Sequence, residues 1–421
     1  MRHRKRERQQ SSRIVDVIRL LCAAVIALLA CNQAASQAKN VLMYGNSFSF
    51  YNGGVGLGLR RVAEAAGHPT PNVYERLGSS LTLNYHATNP SQVAAISNSL
   101  LPGQEWDAVV MQGQSLEATA TLGNPLQFRN RALSIATNVR NHSPSAIAVL
   151  YQTWARAQGH FFYPGTYPAP LAMQAEISDG YQLAADAINA SMCPGAAVVA
   201  RAGDGVALLE FEQSYYAADL FHPGPATTVL ASMCLFTAIY GERACDIQAD
   251  LSPGGPLIAW LSNIGLAAAD WRAMAAIADR CARPELRPFP GSSDQLVLES
   301  GSPPGPTDAC PRVGISAGDF LVLQMSSRNG VYDQAPALII GTAFLNGAPP
   351  NPTPSIPELH VDPTNMFVLL ANPSPPATIF TVVPTSIVGL SVLIQGVSFA
   401  PSSTTGNPSL TATDGHVIEF Q

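Results

Sequence analysis

Two short stretches hold the side chains whose types and spacing could do chemistry. In "NVLMYGNSFSFYNGG", residues 40–54, an apolar run stops at Gly45 and Ser47 follows two places later. In "YYAADLFHPGPATT", Asp219 and His222 stand three residues apart, just ahead of a helix-like stretch. Serine alone is a weak nucleophile and needs a base. An aspartate and a histidine at that spacing in a loop can hydrogen bond to each other. The carboxylate then fixes the imidazole tautomer while the far nitrogen faces outward to take the serine proton. Each residue also has a plain structural use, Ser47 as a helix cap, Asp219 as the cap of the following turn and His222 as a surface histidine. What points to serine-based acyl transfer is the combination, in this order and at opposite ends of one α/β pattern.

The elements that must position these groups can be read from the pattern of apolar runs. "NVLMYG", "NVYERLG", "DAVVMQG", "AIAVLYQ" and "AAVVARAG" alternate with helix-like stretches such as "GVGLGLRRVAEAAG" and "FRNRALSIATNVRNH". The runs are continuous rather than alternating, which predicts a parallel sheet covered by helices on both faces. Ligands of such sheets sit at the carboxyl ends of the strands, where all the candidate motifs fall. "GPATTVLASMCLFTAIYG" opens with a Gly-Pro start signal and is apolar on more than one face, so it should pack on the sheet. "LIAWLSNIGLAAADWRAMAAIADRCA" predicts a covering helix or pair of helices.

"GNSFS" after a first strand and "DLFHPG" near the end of the α/β pattern resemble the first and last blocks of the SGNH, or GDSL, hydrolase superfamily. The resemblance covers about residues 40–245. It implies a flavodoxin-like three-layer α/β/α fold and esterase chemistry, often the removal of acetyl groups from sugars, with Ser47, Asp219 and His222 as the triad. It also implies an oxyanion hole made by the Ser47 amide, a glycine after the second strand and a side-chain amide after the third. Gly78 in "ERLGSSLTLNYH" matches the glycine. The third block departs from the usual Gly-x-Asn-Asp, for "VVMQGQSLEA" offers Gln112, Gly113, Gln114 and Ser115. This looks more like the Gln-Gly-Glu form of sialate acetylesterase relatives. A glutamine amide can donate to an oxyanion as asparagine does, with a longer reach. Gln114 is the favoured donor and Gln112 the alternative. Asn46, in place of the usual aspartate, is expected to stabilise the turn.

Trp154 in "YQTWARAQGHFFYPG" and His86 are candidate pocket residues together with Asn46, and packing is an equal or better use for Trp154 and His86. "GHFFYPGTYPAP" carries four aromatics in a proline-rich loop, which could be a lid or sugar platform or simply anchor the loop. A metal site on His160 lacks a spaced partner and is not expected, and neither is an organic cofactor. The reading is a serine esterase acting on small-molecule or polysaccharide esters, most specifically O-acetyl groups on carbohydrates. A lipase or thioesterase of the same fold, and a catalytically inactive glycan-binding surface protein, are the alternatives.

The basic start "MRHRKRERQQSSR", the apolar run from Leu20 to Ala30 and the small-residue segment after it read as a secretory signal over residues 1–38. The apolar run is too short to span a bilayer. Leu28-Leu29-Ala30-Cys31 offers a lipoprotein processing site, with a lipid on Cys31 as the alternative to free secretion. A secreted, periplasmic or cell-surface protein is expected. Seven of the 23 basic and two of the 29 acidic residues lie in that segment, leaving 16 against 27, a net charge of −11. Such a surface repels phosphate backbones, so nucleic acid is not an expected partner. Five cysteines remain, Cys193, Cys234, Cys245, Cys281 and Cys310, which predicts one or two disulfides with a thiol left over and no readable pairing.

The α/β unit is expected over 39–285, a Pro/Gly-rich linker over 286–313 and a second unit over 314–421. Half of the prolines, 17 of 34, lie in the last 121 residues, which excludes long helices there. "FLVLQMS", "ALIIGTAFL", "MFVLLAN", "GLSVLIQGVSFA" and "HVIEFQ" read as short strands of a β-sandwich, a binding module or a structural cover.

Overall fold

The five apolar runs become β1 (Asn40–Gly45), β2 (Asn72–Leu77), β3 (Ala108–Met111), β4 (Ile147–Tyr151) and β5 (Ala197–Ala200). All pair in parallel, in the order β2-β1-β3-β4-β5. The computed structural model describes residues 37–421 apart from 248–250, 253, 283–285, 288, 293, 304–306, 308, 311, 328–329, 345–355, 363 and 372–374. The expected signal and Cys31 lie outside the described residues.

Among the described residues the α-helices are α1 (Ser47–Phe50), α2 (Val55–Ala65), α3 (Leu83–Thr88), α4 (Pro90–Asn98), α5 (Pro125–His142), α6 (Pro170–Ser191), α7 (Ala202–Leu208), α8 (Pro225–Tyr240), α9 (Pro256–Asn263) and α10 (Ala268–Cys281). Parallel crossovers are right-handed, so the chain's reversal of direction after β2 sends α2 to one face and α3 to α6 to the other. The packing agrees: α2 lies on α8 and α8 on α10, while α5 packs on α3, α4 and α6. β1 and β3 are wholly buried, as continuous apolar runs between two helical layers require. This is the flavodoxin-like three-layer arrangement. Its strand order reverses between β1 and β3, so a crevice opens at their carboxyl ends, just past Gly45 and Met111.

The second unit is all β. One sheet holds β10 (Met366–Ala371), β9 (Ala337–Ala343), β12 (Ser391–Ser398), β14 (His416–Phe420) and β7 (Arg312–Ile315), with β13 (Thr411–Ala412) on β12. The other holds β11 (Ala377–Val382), β8 (Phe320–Ser327) and β6 (Leu296–Gly301). Leu298, Leu323 and Met325 of the smaller sheet share one core with Ile339, Ile394 and Ile418 of the larger, the packing of a sandwich. β6 lies inside the stretch expected to be a linker and pairs antiparallel with β8. The Pro and Gly residues around it mask a strand that its neighbour in the sheet stabilises.

Connections between the units include a disulfide and a cluster around Asp414. Cys245 and Cys310 form a disulfide, which closes a 65-residue separation and stabilises by about 4 kcal/mol on loop-entropy grounds. Cys234 and Cys281 are buried thiols and Cys193 an exposed one. Asp414 accepts from Arg287 Nη2 at 2.9 Å and the Gly291 amide at 2.7 Å, with Arg280 at 3.9 Å. No described helix is long and apolar enough to cross a membrane.

Candidate active site

Asn46 ends β1 and caps the single helical turn α1, its side chain accepting from the Phe48 amide at 3.2 Å. Its own amide donates to Leu81 O at 2.9 Å and Gly113 O at 3.2 Å, so one residue pins together the ends of β1, β2 and β3. Ser47, directly after it, opens α1, where a backbone N–H has no intrahelical acceptor. The glycines that follow are needed for their backbone: Gly53 and Gly54 hold φ of 84° and 89°, the left-handed region, and let the chain reverse into α2. Between them and the serine, Asn52 donates to Pro223 O and Thr228 Oγ1, both at 2.9 Å, and so ties the serine turn to the start of α8.

His222 lies in the loop ahead of α8. Asp219 shapes that loop by accepting from the Phe221 and His222 amides at 3.1 and 3.0 Å through Oδ1. Its Oδ2 sits 2.6 Å from His222 Nδ1, and His222 Nε2 sits 2.8 Å from Ser47 Oγ. Burial alone would raise the Asp219 carboxyl, but the His222 side chain and the two backbone amides outweigh it and hold the group below the usual carboxylate range. An ionised carboxylate only accepts, so Nδ1 carries the proton and Nε2 is left to accept from the serine hydroxyl. The imidazole plane is held by Tyr51, stacked at 4.2 Å and 7°, and by Phe48 at 5.5 Å.

Ser47 and His222 line a pocket of about 410 Å³, walled on its polar side by Asn46, Ser79, Ser80, Gln114, Ser115 and Arg156. Ser47, His222 and Asp219 form one hydrogen-bonded chain just past the carboxyl end of β1. No family model matches this chain, and neither does any curated protein. Among solved structures it is similar to a candidate SGNH hydrolase from Slackia heliotrinireducens, at 24% identity over 48% of this chain and 100% of that one, TM-score 0.38. It is also similar to a DUF4886 family protein from Bacteroides uniformis, at 15% identity over 57% and 93%, TM-score 0.41. A carbohydrate esterase family 3 structure from Talaromyces cellulolyticus is a third, at 12% identity over 48% and 97%, TM-score 0.34.

The two glutamines of the third block part company. Gln112 is fully buried, and its Oε1 accepts from the Asn46 amide at 2.8 Å and Ser49 Oγ at 2.9 Å while Nε2 donates to Asn46 Oδ1 at 2.9 Å and to Gly113 O. Its donors are used up within the serine turn, which leaves none for a substrate oxygen. Gln114 lines the pocket; its Oε1 accepts from the Leu116 amide at 2.8 Å, and its Nε2 has only a long 3.5 Å contact to Ser115 Oγ. Gly78 closes the end of β2, and its neighbours Ser79 and Ser80 form the wall.

Two candidate pocket residues lie behind the wall instead. Trp154 is fully buried, packs on Phe48 at 5.0 Å and donates from Nε1 to Phe221 O at 3.0 Å, bracing the loop that carries His222. His86 is 1% exposed and donates from Nε2 to Gly45 O at 3.2 Å, beneath the serine turn. Each ring places an N–H against a backbone carbonyl, Phe221 O in the loop ahead of α8 and Gly45 O at the end of β1. In the aromatic loop, Phe161 is exposed and Tyr167 buried. Among the described residues no cluster of three or more His, Cys, Asp or Glu could hold a metal ion.

Three further residues went unmarked in the sequence. Asn52 is one. Glu117 is another: it accepts from the Gln114 amide at 3.0 Å, the Leu83 amide at 2.9 Å and the Asn84 amide at 3.3 Å, holding the third-block turn against α3. The third is Arg156, in the wall of the pocket.

Proposed function

We propose that the chain is a serine esterase that works through an acyl-enzyme. Ser47 Oγ attacks the ester carbonyl carbon, and its proton passes to His222 Nε2. The carbonyl oxygen becomes the oxyanion and is received by the Ser47 amide, the amide of Gly78 and the side-chain amide of Gln114. Collapse breaks the ester C–O bond, and His222 returns its proton to the leaving alcohol. Water then attacks the acyl-serine with His222 as base, which releases the carboxylic acid and restores the serine hydroxyl. Asp219 stays ionised throughout and holds the imidazole. The observation that carries this reading is the unbroken chain from Ser47 Oγ to His222 to Asp219, at 2.8 and 2.6 Å, opening on a pocket.

For the substrate we propose O-acetyl groups on carbohydrates, met outside the cytoplasm after export by the N-terminal signal. In support, the pocket mixes amide and hydroxyl groups with the rings of Tyr51, Phe50 and Phe221, a lining suited to a hydroxyl-rich ring. The test is hydrolysis of aryl acetate, butyrate and octanoate and of acetylated polysaccharide by the purified protein, beside Ser47→Ala and His222→Ala. Acetyl esters should be preferred, and each variant should lose at least ~10³-fold in kcat. A preference for octanoate would favour a lipase. No turnover, with no labelling of Ser47 by a fluorophosphonate, would sink the esterase reading and leave glycan binding.

A further inference from the structure

Among the described residues, Arg156 is the only permanently charged side chain in the wall of the pocket beside Ser47 and His222. It is 5% exposed, and its Nη2 donates to Ser115 Oγ at 2.9 Å. Nη1 is buried and has no hydrogen-bond partner. Among the described residues no carboxylate lies within 4.0 Å of it, and the Asp219 carboxylate is engaged by His222. Its remaining company is aromatic, with the guanidinium carbon 4.8 Å from the centre of Phe221, 5.7 Å from Phe162 and 6.0 Å from Phe48. Burial pushes its pKa down to about 10, which still leaves a cation at neutral pH.

An unpaired charge held out of water is costly, and a donor left without an acceptor adds to the cost. Aromatic faces recover part of that, but they accept no N–H fork. The group that would satisfy such a fork is an oxyanion with two acceptor oxygens. Its place is also specific. Phe48 follows the nucleophile and Phe221 precedes the base, and both rings lie against the guanidinium, so the cation is one side chain away from the reacting atoms.

We propose that Arg156 is a specificity-determining residue that binds a carboxylate carried by the substrate, so that the pocket selects esters of acidic compounds over neutral ones. The proposal deepens the esterase reading and rests on it for the word substrate. The carboxylate can belong to the alcohol side, as in an acetylated uronic acid, or to the acyl side, as in a hemisuccinate.

Binding and turnover separate these ideas. Calorimetry on Ser47→Ala would use an O-acetylated methyl glucuronide, the matching acetylated methyl glucoside, and the hemisuccinate of the same glucoside. One of the two acidic ligands should bind at least ~10-fold more tightly than the neutral acetyl ester, and which one does so assigns the carboxylate to the alcohol or the acyl side. Adding Arg156→Gln should remove that preference, while Arg156→Lys retains part of it because the point charge remains. Equal binding of all three ligands overturns the proposal, and so does a preference that survives Arg156→Gln. A loss of the same factor for acidic and neutral ligands alike, with a lowered melting temperature, identifies a guanidinium that only supports Ser115 and also overturns it. Turnover of the same esters by the wild-type chain then separates the two readings. If none is hydrolysed, the esterase reading fails while an Arg156-dependent binding preference stands.

Discussion

At the scale of single residues, the serine turn is held by a polar network rather than by packing. Gln112 satisfies the Asn46 amide, Ser49 Oγ and Asn46 Oδ1 at once, in a site with no access to water. Replacing it with the apolar leucine strands two donors, the Asn46 backbone amide and Ser49 Oγ, while Asn46 Oδ1 keeps the Phe48 amide. Each buried group left unpaired costs about 1–3 kcal/mol, part of which relaxation of the turn recovers. Gln112→Leu should therefore lower stability by roughly 2–4 kcal/mol in denaturant melts and depress kcat through a displaced Ser47. An unchanged melt would show that the network contributes nothing to the turn. Gln114→Ala should behave in the opposite way, with a near-wild-type melt and a loss of about 10²-fold in kcat, the size expected for one oxyanion donor. The pair of variants tests whether positioning of the turn and the proposed oxyanion contact are divided between the two glutamines of this block.

At the scale of elements, the third-block turn depends on how closely α6 approaches it. Gly180 of α6 is buried, and a Cβ there would stand 2.2 Å from Ala118 O and 3.0 Å from its carbonyl carbon. The obstacle is backbone, which cannot rotate away as a side chain can. Gly180→Ala must push α6 from the 114–124 turn, which carries Gln114 and Ser115. Overpacking of this kind costs about 1–3 kcal/mol, and kcat should fall with stability because the same shift moves an oxyanion donor. A variant with full activity and a wild-type melting temperature would contradict the close packing of α6 on this turn.

At the scale of the whole molecule, the α/β unit and the sandwich are joined by the Cys245–Cys310 disulfide and by the Asp414 cluster. Burial would raise the Asp414 carboxyl, but Arg287, Arg280 and the Gly291 amide outweigh it and hold the group below the usual range. A carboxyl lowered in the folded state stabilises above its unfolded pKa, near 3.9, and loses that contribution as pH falls through its folded value. Asp414→Asn should thus destabilise by about 3 kcal/mol at pH 7, a partly buried pair broken from one side. The gap between variant and wild type should close progressively as the pH is lowered below about 4, measured by urea unfolding at each pH. A constant gap across the acid range would mean that the charge of Asp414 does not contribute.

The sequence by itself determined the parts of this protein whose signals are local. Ser47 sits beside its own strand end, and Asp219 and His222 are three residues apart, so their chemistry was legible from spacing. β1 and β3 were legible because a strand buried on both faces must be apolar throughout, whereas β2, NVYERL at the sheet edge, is only partly buried. Only the tertiary structure decided what depends on distant partners. Asn52 acts through Pro223 and Thr228, 171 and 176 residues away, Glu117 through amides 33 and 34 residues back, and Arg156 through Ser115, 41 residues earlier. β6 was hidden for the same reason, since its stability comes from pairing with β8 across an interval of turn-forming residues. Gln112 and Gln114 differ in where register places them. Both are glutamines two residues apart, and only the folded chain decides which amide is spent under the serine turn and which faces the pocket. Periodicity and spacing report which face of an element is buried, whereas the partner a polar group finds there is fixed by where the rest of the chain closes over it.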